Sequence, residues 1–283
     1  MPFRLEFMTT GLVPDEVYSE QARINSLSGV PYIKLAEPHD TPLAVVGGGP
    51  SAGRHLEELQ NWPGDVWGIN QGAAWLTHVA PKAKIWMFTV DPDPILASPE
   101  FIVGVQRAIL GMCASPKLFE AFRGKEVLMF DPHVAPAAEG DKDGGGDPIL
   151  AGGPSSVCRT FVPAAVLGYK NVTYFGCEGS LEGTITPDGS FKSLSHAYRN
   201  EVRPRQMIVR CGGKDFVTTP DLYLTTIALA KFMKEYPLIK EKSGGLLRGM
   251  LENPDTWEVV ALSQVLRDQI DPKGTERYLL RAA

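Results

Sequence analysis

Few cysteines and no long apolar run mark this sequence, and both absences exclude classes of protein. The 283 residues contain only four cysteines, none in C-x-x-C spacing: Cys113, Cys158, Cys177 and Cys211. This spacing argues against a disulfide framework or a zinc site and is typical of buried thiols in a reducing compartment. No stretch of about 20 apolar residues is long enough to span a bilayer, and the first residues lack a signal-peptide core. We therefore expect a cytoplasmic protein without a membrane segment.

Acidic residues slightly outnumber basic ones, with 33 Asp and Glu against 28 Lys and Arg. The formal net charge is -5 at pH 7, so a general attraction to nucleic acid or to anionic membranes is not expected. The pattern G-x-x-x-x-G-K-[ST] is missing, which argues against a P-loop nucleoside triphosphatase. Hydrophobic content of 43% and charged content of 22% are ordinary for a globular protein. The length suffices for one large α/β domain, alone or with an appendage.

Short apolar runs alternate with helical patterns from Pro42 onward. The alternation predicts an α/β fold, a Rossmann-like and mostly parallel sheet with helices on both faces, plus a small irregular or hairpin insertion. The hairpin is expected around Gly212-Gly213, before a long helix that begins at Pro220. Strands are predicted at 43–46, 65–69, 83–90, 126–130 and 172–175, and helices at 51–60, 99–110, 116–122 and 155–167. We divide the chain into an N-terminal arm (1–41), the Rossmann-like domain (42–250) and a C-terminal helical segment (251–283), with a helix from about Trp257.

A tetrapeptide occurs twice, as Gly48-Gly49-Pro50-Ser51 and as Gly152-Gly153-Pro154-Ser155. Glycine allows close backbone approach, proline sets φ for a first helical turn, and serine can satisfy free amides there. Such loops can bind phosphates or carboxylates, although a tight turn without a ligand explains the same residues. The candidate nucleotide- and phosphate-binding residues are Gly47, Gly48, Gly49, Pro50, Ser51, Gly153, Pro154, Ser155 and Ser156.

The first loop also fits the pattern G-x-G-x-x-A between a predicted strand and a predicted helix. A dinucleotide fingerprint in this position requires an acid about 20 residues further on, for the ribose hydroxyls. The second strand instead ends in Gly68-Ile69-Asn70. An amide there argues against NAD and favours a nucleotide or nucleotide sugar that is bound differently. Asn70 could orient a ribose or base, or it could cap the following helix.

Three acids follow predicted strands, at the edge where open α/β sheets bind ligands. Asp91 and Asp93 could hold Mg²⁺ on a phosphate, or Asp91-Pro92-Asp93 could form an Asx turn. Glu178 follows the strand that ends at Phe175. It could bind a ribose, a metal or an acceptor hydroxyl.

His196 is the best candidate for a general acid or base. It lies beside Ser195 in an irregular stretch that is locally basic through Arg199, Arg203 and Arg205. A structural histidine remains the alternative. Thr218 precedes Thr219-Pro220 at the start of the long helix, and it could bind the ligand or belong to a plain helix cap.

Taken together, the motifs and their order along the chain resemble the family of 6-hydroxymethylpterin pyrophosphokinase (MptE-like) proteins. This family includes the flagellar motility accessory factors. The resemblance covers about residues 42–250. It rests on four elements: Val45 to Ser51 with Gly68-Ile69-Asn70, Gly152 to Ser156, Gly176-Cys177-Glu178, and Ser195-His196-Ala197 with Phe216 to Thr219. It implies a Rossmann-like domain similar to that of sialyltransferases.

The family's activities differ between its branches. Some members transfer diphosphate from ATP to a pterin, and the flagellar branch is associated with attaching nonulosonic acids to flagellin. Family members usually carry aspartate where this chain has Glu178, a change that keeps the charge and alters the reach. The chain has none of the large extra domains of the flagellar members, so flagellin is a doubtful acceptor. Compact versions of the domain are also encoded in phage genomes.

These observations predict a transferase with a nucleotide-activated donor, and most directly a glycosyltransferase that acts on a hydroxyl acceptor. The donor phosphate is expected against the amides that follow Gly49 and Ser51, with His196 and Glu178 as catalytic residues. One alternative is Mg²⁺-dependent diphosphate transfer from ATP to a pterin-like alcohol, with Asp91 and Asp93 as metal ligands. A second alternative is a nucleotide-binding phage-type protein without catalysis. Whether the chain forms a homo-oligomer is left open.

Overall fold

The apolar runs form strands of a central β-sheet. The computed structural model describes residues 14–132, 155–181, 183–185, 191–193, 202–203, 206–236, 238–254, 256–262 and 280–281. In chain order the strands are β1 (Leu43–Val46), β2 (Asp65–Ile69), β3 (Lys84–Thr89), β4 (Arg107–Gly111), β5 (Glu126–Phe130), β6 (Val172–Phe175), β7 (Gly183–Ile185), β8 (Phe191–Ser193), β9 (Val202–Arg203), β10 (Met207–Cys211), β11 (Lys214–Thr218), β12 (Ile239–Glu241), β13 (Trp257–Leu262) and β14 (Leu280–Arg281). The α-helices are α1 (Asp15–Ser26), α2 (Ser51–Arg54), α3 (Leu56–Gln60), α4 (Gly72–Val79), α5 (Pro99–Ile102), α6 (Pro116–Ala121), α7 (Phe161–Val166), α8 (Pro220–Glu235) and α9 (Gly245–Glu252). Short 3₁₀ helices lie at Pro94–Ala97 and Cys158–Thr160.

The large sheet has seven strands in the order β12-β6-β1-β2-β3-β4-β5, with helices around it. Strands β1 to β5 pair in parallel, with Leu43 opposite Asp65 and Asp65 opposite Lys84. All four residues of β1 are buried, as expected for a parallel strand covered on both faces. The predicted Rossmann-like α/β class is confirmed.

The strand order reverses at β1. The chain adds β2 to β5 on one side of β1 and then returns to place β6 on the other side. In open α/β sheets, ligands bind at the carboxyl ends of the strands where the order reverses. The loops after β1 and β6, which contain Gly49 and Glu178, follow the two strands at this point.

The chain divides into two compact units. The sheet unit comprises the described residues of 14–46 and 56–173, and the loop unit comprises 47–55 and the described residues from 174 onward. Aromatic rings form the core of the sheet unit. Trp67 stacks on Phe88, and Phe88 stacks on Phe130, with ring centroids 5.3 Å apart in both pairs.

Helix α1 gives structure to part of the N-terminal arm, where the sequence showed no firm period. The Gln21 side chain donates a hydrogen bond to the Pro92 carbonyl at 3.2 Å. The Asn25 side chain donates to the carbonyls of Met112 and Ala114, both at 2.7 Å. Since these carbonyls lie in the loops after β3 and β4, helix α1 lies over the carboxyl ends of those strands.

The loop unit contains an antiparallel sheet in the order β11-β10-β13-β14 and a three-stranded sheet β7-β8-β9. Strands β10 and β11 form the predicted hairpin, with Cys211 opposite Lys214. The side chains that join β10 to α8 and α9 are apolar and buried: Met207, Val209, Cys211, Tyr223, Leu246 and Met250.

Two helix predictions were wrong over part of their range. Within the predicted helix 99–110 only Pro99–Ile102 is helical, and β4 begins at Arg107. Gly104, with φ of 75°, interrupts the helix, and the following apolar run gains more by pairing between β3 and β5. The helix predicted from Trp257 is strand β13, because Trp257 and Val259 pack on the apolar cluster of the loop unit in a period of two.

Candidate active site

The first glycine loop lies against the loop that follows β6. The Gly47 amide donates to the Phe175 carbonyl, and the Gly49 amide donates to the Gly176 carbonyl, both at 2.8 Å. A Cβ at Gly47 would lie 2.8 Å from Cys177 Sγ, closer than side-chain atoms approach one another. The glycine at this position is therefore required by contact between two loops of the protein.

Glu178 reaches from the loop after β6 to the start of α2. Its Oε1 accepts a hydrogen bond from the Ser51 amide at 2.7 Å, and the residue is only 2% exposed. A Cβ at Gly49 would overlap the same carboxylate. The Ser51 amide, which the sequence analysis assigned to a substrate phosphate, thus already donates to a carboxylate of the protein.

The backbone around Glu178 is held by the residues that lead into α8 and α9. The Glu178 carbonyl accepts from the Leu247 amide at 2.9 Å, and the Cys177 amide donates to the Ser243 hydroxyl at 2.8 Å. Gly245 leaves room for Glu178, since a Cβ there would lie 2.5 Å from that of Glu178. These contacts fix the acid in one place.

Thr218 acts on the same loop. Its hydroxyl donates to the Gly179 carbonyl at 2.7 Å, and Gly179 has φ of 66°. The next residue, Thr219, caps α8 by accepting from the Leu222 amide at 3.4 Å. The structure therefore gives Thr218 a positioning contact with the Glu178 loop and gives the capping role to Thr219.

The Ser51 side chain is the polar group of the first loop that lacks a hydrogen bond. The residue is 1% exposed, and its Oγ has no partner among the residues that the structure describes. Buried hydroxyls are usually satisfied, so such an atom needs an explanation. A ligand hydroxyl or amine at the loop would provide the partner.

Asn70 has two unusual features in the sheet unit. It is the one residue other than glycine with positive φ among the described residues, at 51°, and its carbonyl accepts from the Ala73 amide at 3.2 Å. Its buried Oδ1 has no hydrogen-bond partner within the described part of the chain. Its carbonyl supports the start of α4, and the ligand contact of its side chain stays a prediction.

Asp91 and Asp93 use their carboxylates within their own turn. Asp91 Oδ1 accepts from the Asp93 amide at 3.0 Å, and Asp93 Oδ1 accepts from the Ile95 amide at 2.9 Å. Burial raises the pKa of Asp91, and the charge of Asp93 acts in the same direction. Over the described residues, no group of three or more His, Cys, Asp or Glu side chains is placed to hold a metal ion. These contacts match the Asx-turn interpretation, and the magnesium role stays a prediction.

The second glycine loop is described only from Ser155 onward. The Ser155 carbonyl accepts from the Arg159 amide at 3.2 Å. The Arg159 side chain donates to the Pro132 carbonyl, and burial lowers the pKa of its guanidinium. Gly153, Pro154 and His196 lie outside the described residues, and their roles stay predictions.

Sequence reasoning missed the residues that position Glu178, above all Ser243 and Gly245. Both lie more than 60 residues beyond Glu178 in the chain. The sequence signal that could have drawn attention to them is the Ser243-Gly244-Gly245 run before a helix. That run has the same small residues as the first glycine loop.

Comparison with known proteins gave a likeness in fold alone. No family model and no curated protein matches the sequence. The fold is similar to that of a MAf glycosyltransferase from Magnetospirillum magneticum AMB-1, with a TM-score of 0.59 and 18% sequence identity. The match covers 82% of this chain and 37% of that chain, so the sequence spans well under half of the other protein.

Among the described residues, each helix is too short or too polar to pass through a bilayer.

Proposed function

We propose that the protein is a glycosyltransferase, which moves a sugar from a nucleotide-activated donor to a hydroxyl acceptor. The observation that carries this proposal is the pair of loops after β1 and β6, which meet through Gly49, Ser51 and Glu178. They follow the strands at which the sheet order reverses, the position where α/β sheets bind ligands. The fold shared with a protein named as a MAf glycosyltransferase supports the same class of reaction.

Two further roles, those of Asn70 and His196, are proposed from the sequence. The Asn70 amide contacts the ribose or base of the donor, in agreement with its buried Oδ1. His196 takes the proton from the acceptor hydroxyl, or gives one to the leaving phosphate. A well-placed acid or base contributes on the order of 10²–10⁴ in rate. The second glycine loop, through Ser155 and Ser156, binds an anionic part of the donor or acceptor.

Diphosphate transfer from ATP requires Mg²⁺ at Asp91 and Asp93 in the alternative mechanism. Both carboxylates accept amide hydrogen bonds within their turn, and helix α1 contacts Pro92 between them. This arrangement gives that alternative no support. We therefore propose sugar transfer as the reaction.

A donor panel tests the proposal. The purified protein is incubated with CMP-, UDP- and GDP-linked sugars, with water serving as the hydroxyl acceptor, and the nucleotide released by hydrolysis is measured with and without EDTA. We expect release from one nucleotide class, and protection by that nucleotide in a thermal-shift assay. AMP formation from ATP with a pterin alcohol would favour diphosphate transfer. Binding of a nucleotide without turnover of any donor would favour the non-catalytic alternative.

A further inference from the structure

The anion position of the first glycine loop is filled by the protein itself. Glu178 Oε1 lies 2.7 Å from the Ser51 amide nitrogen, and the carboxylate lies over Gly49, where a Cβ would collide with it. An ionised acceptor makes the stronger kind of hydrogen bond with an amide. The Ser51 amide could donate a hydrogen bond to a phosphate, but it already donates to the Glu178 carboxylate.

The carboxylate is fixed in this position. Its main chain is held by Leu247, which donates to the Glu178 carbonyl, and by the close approach of Gly245. Only 2% of the residue is exposed. A substrate phosphate would have to displace a clamped, buried side chain or lie beside it, where like charges repel strongly in a poorly hydrated site.

The Ser51 hydroxyl is a second polar group at the loop, and it is buried without a hydrogen-bond partner among the described residues. A hydroxyl can donate and accept, and a carboxylate can accept from several donors at once. Together they suit a neutral ligand group that carries hydroxyls, and they oppose an anion.

We propose that Glu178 is the specificity-determining residue of the first glycine loop. It replaces a bound phosphate as the resident anion and selects the hydroxyl-bearing, uncharged part of the ligand. For the proposed donor this part is the ribose of the nucleotide, and the donor phosphate binds away from the Ser51 amide. The assignment of the ribose rests on the proposed function, whereas the assignment of the resident anion does not.

Anion rescue tests the resident anion without any nucleotide. The melting temperatures of wild type, Glu178→Ala and Glu178→Gln are measured with sodium formate, sodium phosphate or sodium chloride at equal ionic strength. We expect formate to raise the melting temperature of Glu178→Ala above its value in chloride, because it fills the vacated position beside the Ser51 amide. Wild type and Glu178→Gln, which keep an acceptor there, should show no difference between formate and chloride.

A folded Glu178→Ala variant that is indifferent to formate would overturn the proposal. So would a phosphate-induced shift of the Ser51 amide resonance in the wild type, because phosphate bound at another site does not contact that amide. If Glu178→Ala does not fold, this resonance still decides, since a phosphate in the first glycine loop must contact the Ser51 amide.

Nucleosides without phosphate test the ligand part. Cytidine, uridine, guanosine and adenosine are titrated into wild type, Ser51→Ala, Glu178→Gln and the surface control Ser26→Ala. We expect one nucleoside to bind, with affinity about two- to tenfold weaker in Ser51→Ala, at least about tenfold weaker in Glu178→Gln, and unchanged in the control. Equal affinity in all four proteins would overturn the selection of hydroxyls by the loop. If the sugar nucleotides also fail to bind, the proposed function fails, and the formate and phosphate measurements still decide the resident anion.

Discussion

The Glu178 carboxylate accepts the amide proton of Ser51 at 2.7 Å, across 127 positions of sequence. One residue follows β6 and the other begins α2, so the bond ties together the loops of two strands in the middle of the sheet. Both residues are buried. The contact gives the glycines of the first loop a role within the protein, in addition to any ligand.

Gly49→Ala should destabilise the protein, and Gly53→Ala should not. A Cβ at Gly49 would overlap the Glu178 carboxylate, whereas a Cβ at the exposed Gly53 meets nothing within 4 Å. Overpacking costs about 1–3 kcal/mol, and alanine at an unstrained helical glycine adds roughly 0.4–1 kcal/mol of stability. Urea unfolding of both variants measures the difference. Equal stability would mean that the carboxylate moves aside without cost.

Ser243→Ala should destabilise the loop that contains Glu178, because it removes a hydrogen bond to the backbone of that loop. The Ser243 hydroxyl accepts from the Cys177 amide at 2.8 Å, and both residues are buried. Loss of a buried hydrogen-bond partner costs about 1–3 kcal/mol. Hydrogen exchange should report faster exchange at the Cys177 amide. The exposed Ser26→Ala change serves as the control and should leave that amide unchanged.

Tyr169→Phe should lower the stability of the protein, because it removes a hydrogen bond to the buried carboxylate of Asp65 in the sheet unit. The Tyr169 hydroxyl donates to Asp65 Oδ2 at 2.6 Å, and Lys84 and Trp86 contact the other oxygen of Asp65 at 3.0 and 3.2 Å. Burial, followed by the Asp65 hydrogen bond, raises the pKa of Tyr169. We expect a loss of about 1.5–3 kcal/mol, typical of a bond to a charged group. Tyr236→Phe, at an exposed position, should cost nothing measurable in the same urea titration.

Cys113 and Cys158 should react slowly in the folded protein. Burial raises the pKa of each thiol from 9.0 to about 11. Since the thiolate is the reactive form, each should present about a hundredfold less thiolate at pH 8 than an ordinary thiol. Labelling with a chromogenic disulfide should be slow in native protein and rapid in urea. A fast native phase assigned to either residue by mass spectrometry would contradict this expectation.

The raised pKa values of Cys113 and Cys158 also predict that the protein loses stability as the pH rises into the alkaline range. Their folded pKa values exceed the unfolded ones, so the unfolded chain releases these protons first as the pH rises. The corresponding stability is complete below about pH 9 and is lost between about pH 9 and 11. The free energy of unfolding over this range should fall less steeply in the double variant Cys113→Ala/Cys158→Ala.

His196→Ala should reduce turnover by about two to four powers of ten and leave donor affinity nearly unchanged, since proton transfer matters in the transition state. The pH–rate profile should lose a limb near the ordinary histidine pKa of about 6.5. His78→Ala, at an exposed position of α4, provides the control. Turnover and a pH profile equal to wild type would assign His196 a structural role.

The sequence by itself determined five of the seven strands of the large sheet and the loops that follow them. Buried apolar runs such as Leu43–Val46 and Val172–Phe175 are each followed by a glycine, and this local pattern can be recognised without knowledge of distant partners. Prediction from local pattern gave the wrong element for Arg107–Gly111 and Trp257–Leu262, which form strands in place of the predicted helices. There the choice between helix and strand depended on strands that come from elsewhere in the chain.

Only the tertiary structure decided what the first glycine loop binds within the protein. Glycine, proline and serine after a strand are compatible with a phosphate, a carboxylate or no ligand, because all three satisfy the same amides. The return of β6 to the side of β1 brings Glu178 to Ser51, and Gly245 and Leu247 keep it there. Such a long-range pairing follows from strand order, which local sequence patterns do not encode.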